Sequence, residues 1–318
     1  MQKNDTWIPS ASLEILQARA QFMARLRLFF TSKGYLEVET PIMGRYGITD
    51  PYLANIQALF RGREFSLQTS PEYHMKRLLA AGSGPIFQLA RVFRDDELGR
   101  WHNPEFTLLE WYQLEVDHHT LLSEVDELLQ CVAGCAPIRK RTYQAVFQEI
   151  CGIDPFQTTC QALQTCLRRY DLDKVLDPGE QDIDQYLFLL MSHVIEPALA
   201  PEPGPTAIVD FPASQASLAQ IIDGYAARFE VYYRGVELAN GFYELTDASL
   251  QAARFQTDNQ IRCAQGKPIA LIDDNLLQAL EYGLPVCSGV ALGVDRLLAL
   301  ALHQKQLSSC LAFDFGRA

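Results

Sequence analysis

Two segments of alternating apolar and polar residues, PIFQLARVF at 85–93 and FTLLEWYQLE at 106–115, enclose a strongly charged stretch of the chain. Period-two alternation is typical of β-strands that have one buried face. Two such strands joined by a polar loop predict an antiparallel pair. On the second strand, Leu108, Glu110 and Tyr112 would share one face, because successive side chains point to opposite sides of a sheet.

The periodicity of the remaining sequence predicts a mixture of helices and strands. Helical spacing covers 12–33, 70–82, 119–133, 142–150, 158–169, 181–199, 247–265, 274–282 and 295–304. Strands are predicted at 35–41 and 287–294 and near 207–211, 228–235 and 240–245. This pattern indicates an α+β fold, with an antiparallel sheet flanked by helices. We expect a single domain over 1–318 with a helical insertion at about 135–200.

Charge and composition exclude several classes of function. The net charge of −12 argues against binding to a nucleic-acid backbone, because such binding requires a basic protein surface. The start, MQKNDTWIPSAS, lacks the apolar core of a signal peptide, and no segment predicts a membrane span. The eight cysteines follow no zinc or redox pattern, which suits the reducing cytoplasm. His118 and His119 are expected to cap or solvate a helix start and not to bind a metal.

The charged stretch, RDDELGRWHNPE at 94–105, contains the residue types that a charged, flat ligand requires. Arg94 supplies a cation for phosphate, the carboxylates can bind amines, and Phe106 offers a ring on which a base can stack. Taken alone, Glu110 would be interpreted as a residue on the solvent-exposed face of an edge strand. Its proximity to these groups favours a binding site.

Four blocks of this sequence resemble class II aminoacyl-tRNA synthetases. FRDDELGRWHNPEFT is similar to their motif 2, most closely that of the lysyl enzymes, and GVALGVDRLLAL resembles motif 3. GYLEVETP resembles the end of motif 1, and GVELANGFYELTD matches the segment that carries two acidic residues near ATP. The blocks stand in the family order and cover about 20–318, so the resemblance is specific.

The arrangement most resembles the elongation factor P (R)-β-lysine ligase family, a truncated relative of lysyl-tRNA synthetase. SPEYHMKRLL and HNPEFTLLEWY carry this likeness, and no strand-rich N-terminal OB anticodon-binding domain is expected before motif 1. The resemblance implies activation of (R)-β-lysine or lysine as an adenylate, with ATP and Mg²⁺, and transfer to a lysine of elongation factor P. It further implies a cytoplasmic homodimer that binds no tRNA and no membrane.

The resemblance also implies an ATP site. Arg94 and Arg296 would be catalytic, the first holding the α-phosphate and the second the γ-phosphate. Phe106 would stack on adenine. The implied ATP-binding set is Arg94, Asp95, Asp96, His102, Asn103, Phe106, Glu237, Leu238, Gly293 and Arg296.

A lysine-type pocket and a metal site follow from the same resemblance. Glu110 and Tyr112 would recognise the distal ammonium, and Ser70 and Glu72 the other amino group. The implied substrate-binding set is Ser70, Pro71, Glu72, Glu110, Tyr112, Glu244 and Ala291. The implied Mg²⁺ ligands are Glu237 and Glu244, on either side of a predicted tight turn at Asn240–Gly241.

Two positions depart from the family pattern. Asp96 stands where motif 2 has glutamate, so adenine recognition shifts or Glu97 substitutes. Ala291 stands where lysyl-tRNA synthetases generally have glycine, which is consistent with a pocket reshaped for a β-amino acid. Two alternatives stay open: a lysine-type aminoacyl-tRNA or free-amino-acid ligase, and a catalytically inactive binding paralogue. Retention of Arg94, Arg296, Glu237 and Glu244 argues against the second.

Overall fold

The computed structural model describes residues 6–95 and 98–318. Its α-helices are α1 (Leu13–Ser32), α2 (Glu72–Ala80), α3 (His118–Ala133), α4 (Tyr143–Cys151), α5 (Cys160–Arg169), α6 (Ile183–Leu190), α7 (Glu196–Leu199), α8 (Ala248–Ala264), α9 (Asp274–Gly283) and α10 (Val294–Ala301). Its strands are β1 (Leu36–Glu37), β2 (Met43–Gly44), β3 (Gln57–Phe60), β4 (Arg63–Leu67), β5 (Ile86–Phe93), β6 (Glu105–Leu114), β7 (Arg139–Thr142), β8 (Thr206–Pro212), β9 (Ile221–Ile222), β10 (Tyr225–Tyr233), β11 (Val236–Tyr243) and β12 (Cys287–Gly293).

One large sheet organises the molecule. Its strand order is β1-β5-β6-β12-β11-β10-β8-β7, with β9 beside β10. The pairs β1/β5 and β7/β8 are parallel and the others antiparallel. The predicted α+β architecture is therefore confirmed, as is the antiparallel β5/β6 pair. A smaller sheet, β2-β4-β3, was not predicted from the sequence.

The two faces of the large sheet have different environments. On the back face, Leu109 and Trp111 join the main hydrophobic core with side chains from α1, α3 and α10. On the front face, Glu110 and Tyr112 lie among polar groups, as the alternation of β6 predicts. Burial of the apolar face fixes the register, since a slip of one residue would exchange the two sets.

The start of α10 is anchored to the middle of the sheet. Asp295 accepts a 2.8 Å hydrogen bond from the backbone N–H of Thr107, and its other carboxylate oxygen is paired with Arg19. Arg19 also donates to the Thr107 hydroxyl at 2.8 Å. Because Asp295 is 1% exposed, this ion pair is largely shielded from water and holds the neighbouring Arg296 in place.

The predicted turn at Asn240–Gly241 is wrong. Both residues lie inside β11, and the hairpin turn is at Arg234–Gly235, where φ is 53° and 72°. Two consecutive positive φ angles are typical of the type I′ turn that matches strand twist. Gly241 has a packing reason instead, since a Cβ there would lie 2.3 Å from the Phe229 ring.

Residues 143–199 are mainly helical and pack on the β8–β10 side of the sheet. Leu187 and Ile195 share a buried cluster with Phe211 and Tyr232. A π-helical turn, Met191–Ile195, joins α6 to α7. In the part of the chain that the structure describes, no helix has both the length and the apolar character needed to cross a membrane.

Candidate active site

A row of front-face residues crosses the centre of the large sheet. Glu110 of β6 pairs in register with Ala291 of β12, and Ala291 pairs with Asn240 of β11. Paired residues in neighbouring strands project to the same face. Glu110, Ala291 and Asn240 therefore form one line, although their positions in the sequence are far apart.

Glu110 is the centre of a buried hydrogen-bond network. Its carboxylate accepts from the Ser70 hydroxyl at 2.6 Å and from the Tyr112 hydroxyl at 2.7 Å. The Ser70 oxygen in turn accepts from the backbone N–H of Glu72 at 3.0 Å, at the start of α2. Pro71 is the N-cap residue of that helix. The structure thus brings Ser70, Glu72, Glu110 and Tyr112 together, and their role in binding the substrate stays a prediction.

A buried lysine that the sequence analysis did not select joins this network. Lys76 is 1% exposed, and its ammonium lies 2.7 Å from the Glu72 carboxylate and 2.6 Å from that of Glu244. Glu72 and Lys76 are four residues apart on α2, a spacing that signals an ion pair on one helix face. Glu244 follows β11 and is likewise 1% exposed.

The pocket contains more carboxylates than cations in contact with them. Burial, and then the charge of Glu72, raise the pKa of Glu110 to about 8. Burial also raises the pKa of Glu244 to about 7, with Lys76 opposing and Glu72 adding to the shift. Burial alone would lower the pKa of Lys76, but Glu244 and Glu72 outweigh it and raise it. A ligand that brings an ammonium group would relieve this unfavourable buried charge.

Gly289 on β12 provides the space that this network occupies. A Cβ at this position would lie 2.3 Å from the Tyr112 ring and 2.6 Å from a carboxylate oxygen of Glu244. These contacts are too short for any side chain to be accommodated without displacing both residues. The glycine in CSGVALG therefore belongs to the pocket, a role that the sequence alone did not reveal.

We expect the ligand-free protein to lose stability as pH rises from about 4.5 to about 8. The folded-state pKa values of Glu110 and Glu244, about 8 and about 7, lie above the ordinary value of 4.5, so the folded state retains protons that the unfolded chain releases. The stability that these two carboxyl groups contribute is fully present below their pKa in the unfolded chain. It is lost as pH rises through their pKa in the folded protein. Thermal melts across this pH range measure how the melting temperature changes with pH.

Glu110→Gln should flatten this pH profile, because glutamine cannot ionise. The matched control is Glu105→Gln on the same strand, where the carboxylate is exposed and 3.4 Å from Arg91. A wild-type profile that is flat across the window would contradict the assignment, as would an equal flattening by both variants.

A second group of residues lies around Arg296 at the start of α10. Its guanidinium donates to the backbone carbonyls of Trp101 at 3.1 Å and Glu237 at 2.9 Å. It also lies 2.7 Å from a ring nitrogen of His102 and 3.8 Å from the Glu237 carboxylate. Arg296, His102 and Glu237 are therefore brought together, as the implied ATP site requires. Gly293 immediately precedes α10 on the same strand as Ala291.

Arg94 and Phe106 lie next to each other at the edge of the charged loop. The Arg94 guanidinium is 5.1 Å from the Phe106 ring centroid, a cation–π contact. The backbone N–H of Arg94 donates to Pro104 and closes the base of the loop. Asp95 is exposed, and its backbone donates to Ala54. Asp96 and the alternative Glu97 lie outside the described residues.

Two predicted ATP-binding residues have side chains engaged elsewhere, and their contact with ATP stays a prediction. The Asn103 side chain donates to the Glu105 carbonyl at 2.6 Å and accepts from the Phe315 N–H at 3.1 Å, so these contacts tie it to the local backbone. Leu238 is 2% exposed and its side chain packs in the core behind the sheet, so the predicted contact with ATP would have to come from its backbone.

The predicted metal ligands lie at opposite ends of β11. Glu237 faces the front because the β10/β11 register shifts between Val231 and Tyr232, which turns the strand by one residue. Glu237 is near Arg296, whereas Glu244 is in contact with Lys76. The two carboxylates therefore flank the front face from its two sides and do not face each other across a turn.

Alternation along β10 produces a further polar cluster that was missed. Arg228 is 7% exposed and donates to Glu230, to the Asn240 side chain at 3.1 Å and to the Gln215 carbonyl at 2.8 Å. Tyr232 donates to the other oxygen of Glu230. The period-two spacing of these three residues was the available signal, and the cluster continues the polar front face beyond Asn240.

Comparisons with known proteins agree on one family. The model of the class II tRNA synthetases (D, K and N) matches residues 6–315. Proteins named elongation factor P–(R)-β-lysine ligase from Salmonella paratyphi B, Salmonella gallinarum and Salmonella enteritidis are each 51% identical to this chain. The alignments cover 100% of this chain and 100% of each relative. The predicted fold class and family resemblance are confirmed.

Proposed function

The chain belongs to the class II tRNA synthetase family (D, K and N), and from this premise we propose that it is a ligase that activates lysine or (R)-β-lysine with ATP and attaches it to a lysine side chain of elongation factor P. The observation that carries the proposal is the buried excess of carboxylates around Lys76, on the face of the sheet beside Arg296. Such a pocket suits a substrate that carries two ammonium groups. The names of the relatives that share the full length of the chain supply the acceptor.

The pocket residues orient the amino acid for activation. Glu110, held by Ser70 and Tyr112, binds the distal ammonium, and Glu72 and Glu244 receive the amino group near the carboxylate. Lys76 reduces the net negative charge of the pocket by pairing with Glu72 and Glu244. The substrate carboxylate is thereby directed along the sheet toward Arg94 and Arg296, so that orientation supplies part of the catalysis.

The reaction proceeds in two displacements. An oxygen of the substrate carboxylate forms a bond to the α-phosphorus of ATP, and the bond to the leaving pyrophosphate breaks. The acceptor amine then attacks the carbonyl carbon of the adenylate, loses a proton and expels AMP. Arg94 stabilises charge at the α-phosphate, and Arg296 binds the γ-phosphate, so positive charge placed in advance lowers the barrier.

We propose Mg²⁺ as the metal that accompanies ATP, with Glu237 as the better-fitting protein ligand. Carboxylate oxygens are the donors that Mg²⁺ prefers, and the 3.8 Å contact with Arg296 leaves the Glu237 carboxylate able to accept a cation. Glu244 fits less well in its present position, because it is already paired with Lys76. When bound, the ion neutralises phosphate charge.

The remaining proposals concern organisation. Residues at about 135–200 form the helical insertion of a single catalytic domain spanning 1–318. The protein acts in the cytoplasm as a homodimer. Exposed apolar side chains from α1 to the start of β2 support a dimer contact: Leu28, Leu36, Ile42 and Met43.

Amino-acid-dependent ATP–pyrophosphate exchange with a panel of lysine isomers tests the activation step. Incubation with elongation factor P, followed by intact-mass measurement, tests the transfer step. We expect exchange with lysine-type substrates and a mass increase of one aminoacyl group on a lysine. Exchange without transfer to elongation factor P, but with transfer to tRNA, would favour the tRNA-charging alternative. No exchange with any lysine isomer would contradict the proposal.

Ala291→Gly is expected to shift preference from (R)-β-lysine toward α-lysine by about tenfold or more. Ala291 is the in-register neighbour of Glu110, so its methyl group lies on the pocket face of the sheet. One methylene-sized change in a pocket alters discrimination by about 1–3 kcal/mol. The measurement is kcat/KM for both isomers in pyrophosphate exchange. An unchanged ratio would place selectivity at Ser70, Glu72 or Glu244.

A further inference from the structure

His118, His119 and Asp210 form a cluster that has no part in the proposed reaction. One ligand atom from each side chain lies within 4.8 Å of the others. The histidines begin α3, which packs on the back of the sheet, and Asp210 belongs to β8. The cluster is therefore on the opposite side of the sheet from Glu110. The sequence-based expectation that the histidines cap or solvate the helix is wrong for His118, because Asp117 is the N-cap and His118 is 6% exposed.

The two histidine rings contain buried nitrogen atoms without protein partners. Neither ring nitrogen of His118 has a hydrogen-bond partner among the described residues, and the same is true of Nδ1 of His119. Buried polar atoms nearly always have a hydrogen-bond partner, and leaving one without a partner is unfavourable. The arrangement of His118 points to a ligand that accepts its lone pair.

The backbone of β8 is distorted where it supplies the carboxylate. Asp210 has φ of 60°, in the left-handed region, inside a strand. The β8/β10 register shifts at this point, between Ala226 and Phe229. A strained non-glycine residue persists only where its surroundings favour it, and such residues concentrate at functional sites. The distortion places Asp210 beside the two rings.

We propose that His118, His119 and Asp210 bind a divalent transition-metal ion of the Zn²⁺ type. Two imidazoles and one carboxylate are a donor set that zinc and its neighbours accept, whereas Mg²⁺ and Ca²⁺ prefer oxygen donors alone. Three protein ligands leave a fourth tetrahedral position for water. Asp117 is less suited to fill that position, since one of its carboxylate oxygens caps α3 by accepting from Thr120 at 2.8 Å.

A bound ion would connect the start of α3 to the distorted part of β8. The two elements are far apart in the chain, so a shared ion stabilises the folded state and is lost on unfolding. The expected consequence is a higher melting temperature with no requirement for the metal in adenylate formation. This separates the metal site from the proposed function, because the site can be tested whether or not the ligase activity is found.

The test uses the full-length protein freed of metal by a chelator and titrated with Co²⁺ and then Zn²⁺. We expect one ion per chain, visible absorption of Co²⁺ in nitrogen and oxygen coordination, its displacement by Zn²⁺, and a rise in melting temperature. His119→Ala and Asp210→Asn should each weaken binding by more than about tenfold, and asparagine tolerates the left-handed backbone at that position. Circular dichroism verifies that both variants are folded.

The matched control is His193→Ala, which removes an exposed histidine of the π-helical turn Met191–Ile195 and should leave binding unchanged. Absence of one-to-one binding by the wild-type protein would overturn the proposal. Equal affinity in wild type and in the His119→Ala/Asp210→Asn double variant would overturn it too. So would near-ultraviolet charge transfer from thiolate to Co²⁺, which would assign the ion to cysteines such as Cys131 or Cys263, both exposed.

Discussion

Replacing Arg296 by alanine is expected to abolish adenylate formation while the fold is retained. The guanidinium is held by Trp101, Glu237 and His102 before the substrate arrives, at the place where we propose that it binds the terminal phosphate of ATP. Removing a charge placed in this way costs roughly 3 kcal/mol or more of transition-state stabilisation. ATP–pyrophosphate exchange measures the loss. Arg94→Ala should behave similarly, because we propose that its guanidinium, which lies beside the Phe106 ring, stabilises charge at the α-phosphate.

The control for these variants is Arg100→Ala. Arg100 is also in the motif 2 loop, but it is exposed and donates to the Lys305 carbonyl at 2.7 Å. Its loss should leave exchange near the wild-type rate. Near-wild-type exchange in Arg296→Ala or Arg94→Ala would remove the ligase interpretation.

Glu110→Gln is expected to weaken the binding of lysine-type substrates strongly and to leave the KM for ATP nearly unchanged. Glu110 is 2% exposed, so the distal ammonium of the substrate would be buried without its counter-charge. Removing one partner of a buried ion pair costs about 3–5 kcal/mol. Glutamine keeps the shape of the side chain and can still bond to Ser70 and Tyr112, so the loss would report charge and not collapse of the pocket.

Initial exchange rates over a range of lysine concentrations give the KM for the amino acid. The exposed Glu105 on the same strand again provides the matched control, as Glu105→Gln. If Glu110→Gln left the KM for lysine-type substrates unchanged, Glu110 would be only a polar residue of the front face.

The sequence by itself determined the local features of this protein. The alternation of FTLLEWY assigned Glu110 and Tyr112 to one face of β6, because side-chain direction in a strand depends only on parity. Signals for helix starts were equally local. Ser12 is the N-cap of α1, and the Ser12 hydroxyl accepts a hydrogen bond from the backbone N–H of Ile15. Motif order identified the family, because the motifs that define it are short contiguous segments.

Only the tertiary structure decided which distant residues meet. Lys76 and Glu244 are far apart in the chain and share an ion pair because α2 packs against the front of the sheet. Asn240–Gly241 has the strongest local turn signal, yet it lies within β11, because cross-strand pairing with β10 and β12 outweighs that preference. The register shift opposite Tyr232 likewise turns Glu237 to the front. Parity and capping act over a few residues, whereas strand order, register and the burial of charge are set by the whole fold.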